Sequence, residues 1–149
     1  MSDSDILLVE DNADDEALTL RALHKSRLPT PTVVRDGVEA LAYLFGQGPF
    51  AGRDTRRQPR VILLDLKLPK LNGLEVLSQI RADERTRLVR VVVLTSSGEV
   101  QDIQSSYALG ADSYVRKAMD FETYIETVGL LGRYWTQVNE PPVTYAERL

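Results

Sequence analysis

Three short aliphatic runs of this chain end on groups that can do chemistry: Leu7-Leu8-Val9 on Glu10-Asp11, Val61 to Leu64 on Asp65, and Val91 to Leu94 on Thr95-Ser96-Ser97. A fourth segment, Ser113 to Arg116, ends on Lys117. Runs of this kind read as buried strands, so each group stands where a strand leaves the core. If the first, third, fourth and fifth strands lie side by side, three carboxylates, a hydroxyl and an ammonium share one rim. Two carboxylates ~4 Å apart repel by roughly 4 kcal/mol at an effective dielectric near 20, comparable with much of a domain's net stability. A fold has no structural use for that. Protonation, pairing with Lys117 or a divalent cation would each relieve it, and hard oxygen ligands suit Mg²⁺. Ca²⁺ is disfavoured, since no loop offers oxygen ligands at EF-hand spacing. With Mg²⁺ in place, Asp65 is able to attack phosphorus while the cation and Lys117 neutralise the phosphoryl oxygens.

Those groups need a scaffold that gathers them. Strands are expected at Ile6 to Val9, Thr32 to Arg35, Val61 to Leu64, Arg90 to Leu94 and Ser113 to Arg116. Three of these are nearly all apolar, which suits strands covered on both faces by helices in a parallel sheet. Segments long enough for crossover helices lie between them, at about 13–28, 36–46, 73–86, 98–109 and 120–138. Asp36 stands three residues before Glu39 in the manner of a capping box, Asn72-Gly73 opens another helix, and Asn139-Glu140-Pro141-Pro142 stops the last. The alternation predicts a doubly wound α/β sandwich, in which ligands collect beyond the carboxyl ends of the strands. Residues 46–59 carry three Gly, two Pro and three Arg without period, and read as a surface loop.

A chain of 149 residues with 43% hydrophobic content is the size of one domain and needs no disulfide to hold it. Its net charge of −4 argues against nucleic-acid or anionic-membrane partners, whose phosphates call for Lys and Arg. Cysteine is absent, which removes thiol catalysis and thiolate metal sites. The opening Met-Ser-Asp-Ser-Asp has none of the features of a signal peptide and no apolar run reaches membrane-spanning length, so a cytoplasmic location is expected.

The segments Leu7 to Asn12 (LLVEDN), Val61 to Pro69 (VILLDLKLP) with Asn72 to Leu77 (NGLEVL), Val91 to Ser97 (VVVLTSS) and Ser113 to Lys117 (SYVRK) together resemble the receiver domain of two-component response regulators. The resemblance covers about residues 5–138, with 139–149 left as a tail, and implies one domain over 1–149. It implies a doubly wound five-stranded parallel sheet of flavodoxin-like order 2-1-3-4-5 with helices on both faces. It further implies that Asp65 accepts a phosphoryl group from a histidine kinase, and that Glu10, Asp11, Asp65 and the backbone carbonyl of Lys67 hold Mg²⁺. Thr95 and Lys117 would then grasp the phosphoryl oxygens, and Tyr114 would turn inward as Thr95 is drawn to the phosphate. Catalysis would stop at self-phosphorylation and slow self-dephosphorylation. Receivers usually follow the lysine with a proline, often cis, whereas Lys117 is followed by Ala118, where a cis bond costs ~3–4 kcal/mol.

With no segment after residue 138 long enough for an output domain, the signal is expected to pass to another protein. The Tyr43-Leu44 end of the second helix, the long loop after it, the Leu63 to Leu77 stretch and the tail also resemble small regulators paired with bacterial phytochrome kinases. Two other readings compete: a haloacid-dehalogenase-like aspartyl phosphatase, disfavoured because Lys67 stands where its second acid belongs, and a pseudo-receiver that takes no phosphate, disfavoured because the acids, Thr95 and Lys117 are all present. In the last helix Phe121, Tyr124, Ile125, Val128, Leu131 and Trp135 are expected to face the sheet. Leu130, Tyr134 and Val138 widen the apolar arc beyond one core contact, which predicts a homodimer through this helix or a tail folded over it. Ser97 is expected to cap the helix after it, His24 to be a surface residue, and Arg53, Arg56, Arg57 and Arg60 to be solvated.

Overall fold

The computed structural model describes residues 4–117 and 120–142. Its sheet has five strands, β1 (Ile6–Val9), β2 (Thr32–Val34), β3 (Val61–Leu64), β4 (Arg90–Thr95) and β5 (Ser113–Arg116), all parallel and in the order β2-β1-β3-β4-β5. Strand order reverses between β1 and β3, and the crevice beyond their carboxyl ends is the site expected from topology.

Strand alternation explains why the apolar runs are unbroken. Leu7, Val9, Ile62, Leu64, Val91 and Val93 point to one face and meet α2 (Gly37–Phe45) and α3 (Gly73–Ala82). Ile6, Leu8, Val61, Leu63, Val92 and Leu94 point to the other and meet α1 (Ala13–Lys25) and α5 (Phe121–Arg133). Every residue of β1 and β3 is buried, so neither strand has room for a polar residue before its tip. α4 (Val100–Ala108) closes the first face beside α3.

Expected caps form at two helix starts: the Asp36 carboxylate accepts the Glu39 N–H at 2.7 Å, and the Asn72 side chain accepts the Glu75 N–H at 3.0 Å. Gly73 does more than permit a turn. A Cβ there would lie 2.3 Å from the Asp65 carbonyl oxygen, so only glycine lets α3 start against the backbone that carries Asp65.

Helix ends differ from expectation for local reasons. α1 stops at Lys25 rather than 28, because Arg27 adopts φ +57° and the Leu28 N–H bonds back to the Leu23 carbonyl at 3.0 Å, returning Leu28 to the core. α3 stops at Ala82 rather than 86, where the Thr86 hydroxyl donates to the Ile80 carbonyl at 2.7 Å and closes a turn. The last helix divides into α5 and a π-helical turn, Tyr134–Val138. In α5, Phe121 is 43% exposed rather than core, lying under the Arg21 guanidinium, because the helix leans on α1 through Gly129 and Gly132. Leu130 (62% exposed), Tyr134 (44%) and Val138 (69%) form the outward apolar arc, as expected. Residues 143–149 and the Lys117-Ala118 linkage lie outside the described residues.

The 46–59 loop is knitted down in part, while Arg56 and Arg57 stay exposed as expected. Arg53 stacks 3.9 Å from the Tyr43 ring centroid, Arg56 pairs with Asp54, and Gln58 donates to the Leu44 and Thr55 carbonyls. Arg60 reaches the Thr136 carbonyl at 3.0 Å and ties the start of β3 to the π-helical turn. Arginine carries five N–H donors, and carbonyls exposed at a helix end are ready acceptors, so Arg53 and Arg60 act as staples.

Candidate functional site

At the carboxyl end of β1 the chain places Glu10, whose side chain is only 2% exposed, and then Asp11, which is exposed. Asn12 follows and caps α1, accepting the Asp15 N–H at 2.9 Å, while its own N–H donates to Glu10 Oε2 at 3.3 Å. Asp65 follows β3 and is 8% exposed, its Oδ1 accepting the Lys67 N–H at 3.2 Å. One carboxylate oxygen each of Glu10, Asp11 and Asp65 lies within 4.8 Å of the others. Lys117, at the end of β5, enters from the opposite side. Its Nζ donates to Glu10 Oε1 at 2.7 Å, Asp15 Oδ2 at 2.8 Å and Asp65 Oδ2 at 2.9 Å. The acids expected to converge do so, with the expected ammonium opposite.

Asp15 is the site residue that sequence reasoning missed. Three acids crowd the first turn of α1, Asp14, Asp15 and Glu16, and there they look like ordinary complements to the helix dipole. The signal that separates them is angular. Asp15 meets Lys117 at 2.8 Å, whereas Glu16 is turned away and pairs with Arg35 at 2.9 Å.

Burial sets the electrostatics. Desolvation pushes the Glu10 carboxyl up to about 7, with Asp65 adding to the rise and Lys117 opposing it. Burial also works against the charged form of Lys117, yet hydrogen bonds to Asp15 and Glu10 and the nearby Asp65 charge overcome it and hold the lysine above its ordinary range. The site is therefore short of positive charge and has collected what the chain can offer. Its donor set, several hard carboxylate oxygens with lone pairs to spare, fits a divalent cation of the Mg²⁺ or Mn²⁺ kind. Lys67 is exposed and its N–H faces Asp65.

Thr95 ends β4 fully buried, and its hydroxyl lies 3.5 Å from the Ser97 N–H. Ser97 is not the helix cap: α4 starts later, with Glu99 at the cap position and no side-chain cap bond. Instead the Ser97 hydroxyl donates to Asp102 at 2.5 Å and accepts the Glu99 N–H at 3.3 Å, so it braces the loop from inside. Tyr114 is half-buried, and its hydroxyl donates to the Ser97 carbonyl at 2.8 Å. Arg116 crosses the same loop at Gly98, where a Cβ would lie 2.4 Å from the guanidinium carbon. Thr95 and Tyr114 are thus joined through one short loop held by Ser97, Asp102 and Arg116. His24 is exposed at the end of α1, away from these groups.

Comparison with known proteins agrees with this geometry. The family model described as the response regulator receiver domain matches residues 6–129. The probable methanogenesis regulatory protein FilR2 of Methanothrix harundinacea is 42% identical over 139 residues, covering 92% of this chain and 86% of its own. The response regulator Rcp1 of Synechocystis sp. is 35% identical over 133 residues, covering 89% and 88%. The crystal structure of Rcp1 in its Mn(2+)-bound form superposes with a TM-score of 0.84 at 33% identity, covering 95% of this chain and 99% of Rcp1. That of the phosphorylated cyanobacterial phytochrome response regulator RcpA gives 0.86 at 37%, with coverage of 95% and 99%.

Proposed function

Because this chain belongs to the response regulator receiver family, we propose that Asp65 is its phosphoacceptor and that Glu10, Asp11 and Asp65, with the Lys67 carbonyl, hold the Mg²⁺ the reaction needs. The single observation that carries this is the meeting of three carboxylates and one ammonium at the β1–β3 crevice. A bound divalent cation would supply positive charge for the phosphoryl oxygens. The remaining work belongs to the chain. One Asp65 oxygen attacks the phosphorus of a phosphohistidine or small acyl phosphate, and the oxygen–phosphorus bond forms as the donor's bond to phosphorus breaks; a histidine donor's imidazole takes its proton from solvent, whereas an acyl phosphate's carboxylate leaves as the anion. Lys117 keeps its charge next to the acceptor throughout. No step consumes the protein, and the acyl phosphate is then lost slowly to water, so the chain is a signalling protein rather than a turnover enzyme. Acetyl phosphate with Mg²⁺ should place one hydroxylamine-labile phosphoryl group on the chain; no label under these conditions would overturn the reading.

The phosphodonor is a histidine kinase. RcpA is by its description a phytochrome regulator, and its resemblance to this chain over 95% of the length supports a phytochrome-type kinase as donor. The downstream partner is another protein, not nucleic acid, consistent with a net charge of −4. The whole chain then works as one domain, its core about 5–138. Among the described residues no helix is long and apolar enough to cross a membrane, and the proposed site of action is the cytoplasm.

Thr95 and Tyr114 act as the switch. With Thr95 buried at the end of β4, its hydroxyl reaches a phosphoryl group only if the loop braced by Ser97 moves, and the Tyr114 bond to the Ser97 carbonyl moves with it. Thr95→Ala should accept phosphate at near the wild-type level but lose the phosphorylation-dependent amide shifts of α4 and β5 in NMR spectra. Unaltered shifts would remove Thr95 from the switch.

The outward arc of Leu130, Tyr134 and Val138 is read as a homodimer surface. Sedimentation at micromolar concentration should give a dimer for the chain and a monomer for Leu130→Asp/Val138→Asp. A wild-type monomer would eliminate the dimer.

A further inference from the structure

We propose that Asp15 is a positioning residue for Lys117, keeping the ammonium at the rim while Glu10 and Asp65 are engaged by a cation and a phosphoryl group; the proposal rests on Asp65 being the acceptor. An ammonium has three N–H donors and no acceptor. Lys117 spends them on three carboxylates, at 2.7 Å on Glu10, 2.8 Å on Asp15 and 2.9 Å on Asp65. Two of those three belong to the trio whose oxygens converge within 4.8 Å, and Asp15 does not. A cation bound by the trio turns two of the lysine's partners into ligands and also repels the ammonium directly. Asp15 is the one partner whose oxygens are not shared with the cation.

The helix start is built to keep Asp15 there. The Asn12 side chain accepts the Asp15 N–H at 2.9 Å, which fixes the first turn of α1, and Glu16 is diverted to Arg35. Asp15 itself is 34% exposed, outside both cores, so replacing it removes the tether without opening a cavity. A carboxylate that served only the helix dipole would have no need to point at Lys117, as its exposed neighbour Asp14 shows by lying on the same turn without meeting the lysine.

The test compares the wild-type chain with Asp15→Asn, Asp15→Glu and Asp65→Asn. Two quantities are read: the rate of labelling by acetyl phosphate in saturating Mg²⁺, and the Lys117 Nζ resonance of ¹⁵N-lysine-labelled protein in the Mg²⁺-bound, unphosphorylated form. Asp15→Asn should label about tenfold more slowly, the order expected when a reacting group is displaced by less than an ångström, and should lose the slowly exchanging Lys117 ammonium signal. Asp15→Glu should recover both in part. A rate equal to or above wild type for Asp15→Asn overturns the proposal, and so does a slowed rate with the Lys117 signal unchanged, which would make the loss a general effect of charge. Absence of label on the wild type, or its survival on Asp65→Asn, instead strikes the acceptor assignment and is seen separately.

Discussion

Asp65→Asn abolishes divalent-metal-dependent labelling by acetyl phosphate and by a cognate histidine kinase. Asparagine keeps the shape of the side chain and an oxygen for the Lys67 N–H, which lies 3.2 Å from Asp65 Oδ1, so the end of β3 need not rearrange. What is lost is the nucleophilic anion. The exposed Asp11 and the buried Glu10 stand close by, but neither takes over, because Glu10 is 2% exposed and Asp11 is not among the three carboxylates Lys117 meets. Removing one of the crowded acids relieves repulsion, so the folded state should lose nothing and gain as much as about 1 kcal/mol in urea unfolding without metal. Label retained by this variant, measured by electrophoresis and mass spectrometry, would move the acceptor to another residue.

Lys117→Met converts the protein into one whose stability depends on a divalent cation. In the wild type the ammonium neutralises Glu10, 2% exposed, and Asp65, 10% exposed at the side chain. Taking away one partner of a buried charged group costs about 3 kcal/mol, since the remaining charge stays desolvated. Asp15, a third exposed, is screened by water and adds little to that figure. In EDTA the variant should therefore unfold at markedly lower urea than wild type, and millimolar Mg²⁺ should recover most of the difference by supplying the missing charge. Equal stability of the two proteins in EDTA would mean that Lys117 is not the counter-ion of the site. The same variant should label far more slowly than wild type even in Mg²⁺, which separates the role of the ammonium in phosphoryl transfer from its role in folding.

The sheet was legible because β1, β3 and β4 must be apolar on both faces, and a residue such as Asp65 cannot follow Leu64 without marking the edge of the core. Glu10, Asp11, Asp65, Thr95 and Lys117 were legible for a related reason: each stands at or just beyond the end of a strand. Asp15 was hidden because a helix N-terminus favours acids whatever their function, and only the three-dimensional reach of Lys117 distinguishes it from Asp14 and Glu16. Helix ends were misjudged where side chains beyond the helix pattern decide them, as Thr86 does for α3. The Ser97–Asp102 contact escaped notice because a serine before a helix ordinarily serves the backbone, and here it serves a carboxylate one turn inside α4.

The chain has one tryptophan, Trp135, packed edge-on to Tyr134 with centroids 4.9 Å apart, on the α1–α5 side of the sheet. At 1.5 Å per residue it stands about 20 Å down the helix from Asp120. Its emission is thus an unlabelled optical gauge of the rear of the molecule: dissociation of the proposed homodimer on dilution should change its wavelength, whereas titrating Mg²⁺ should leave it still.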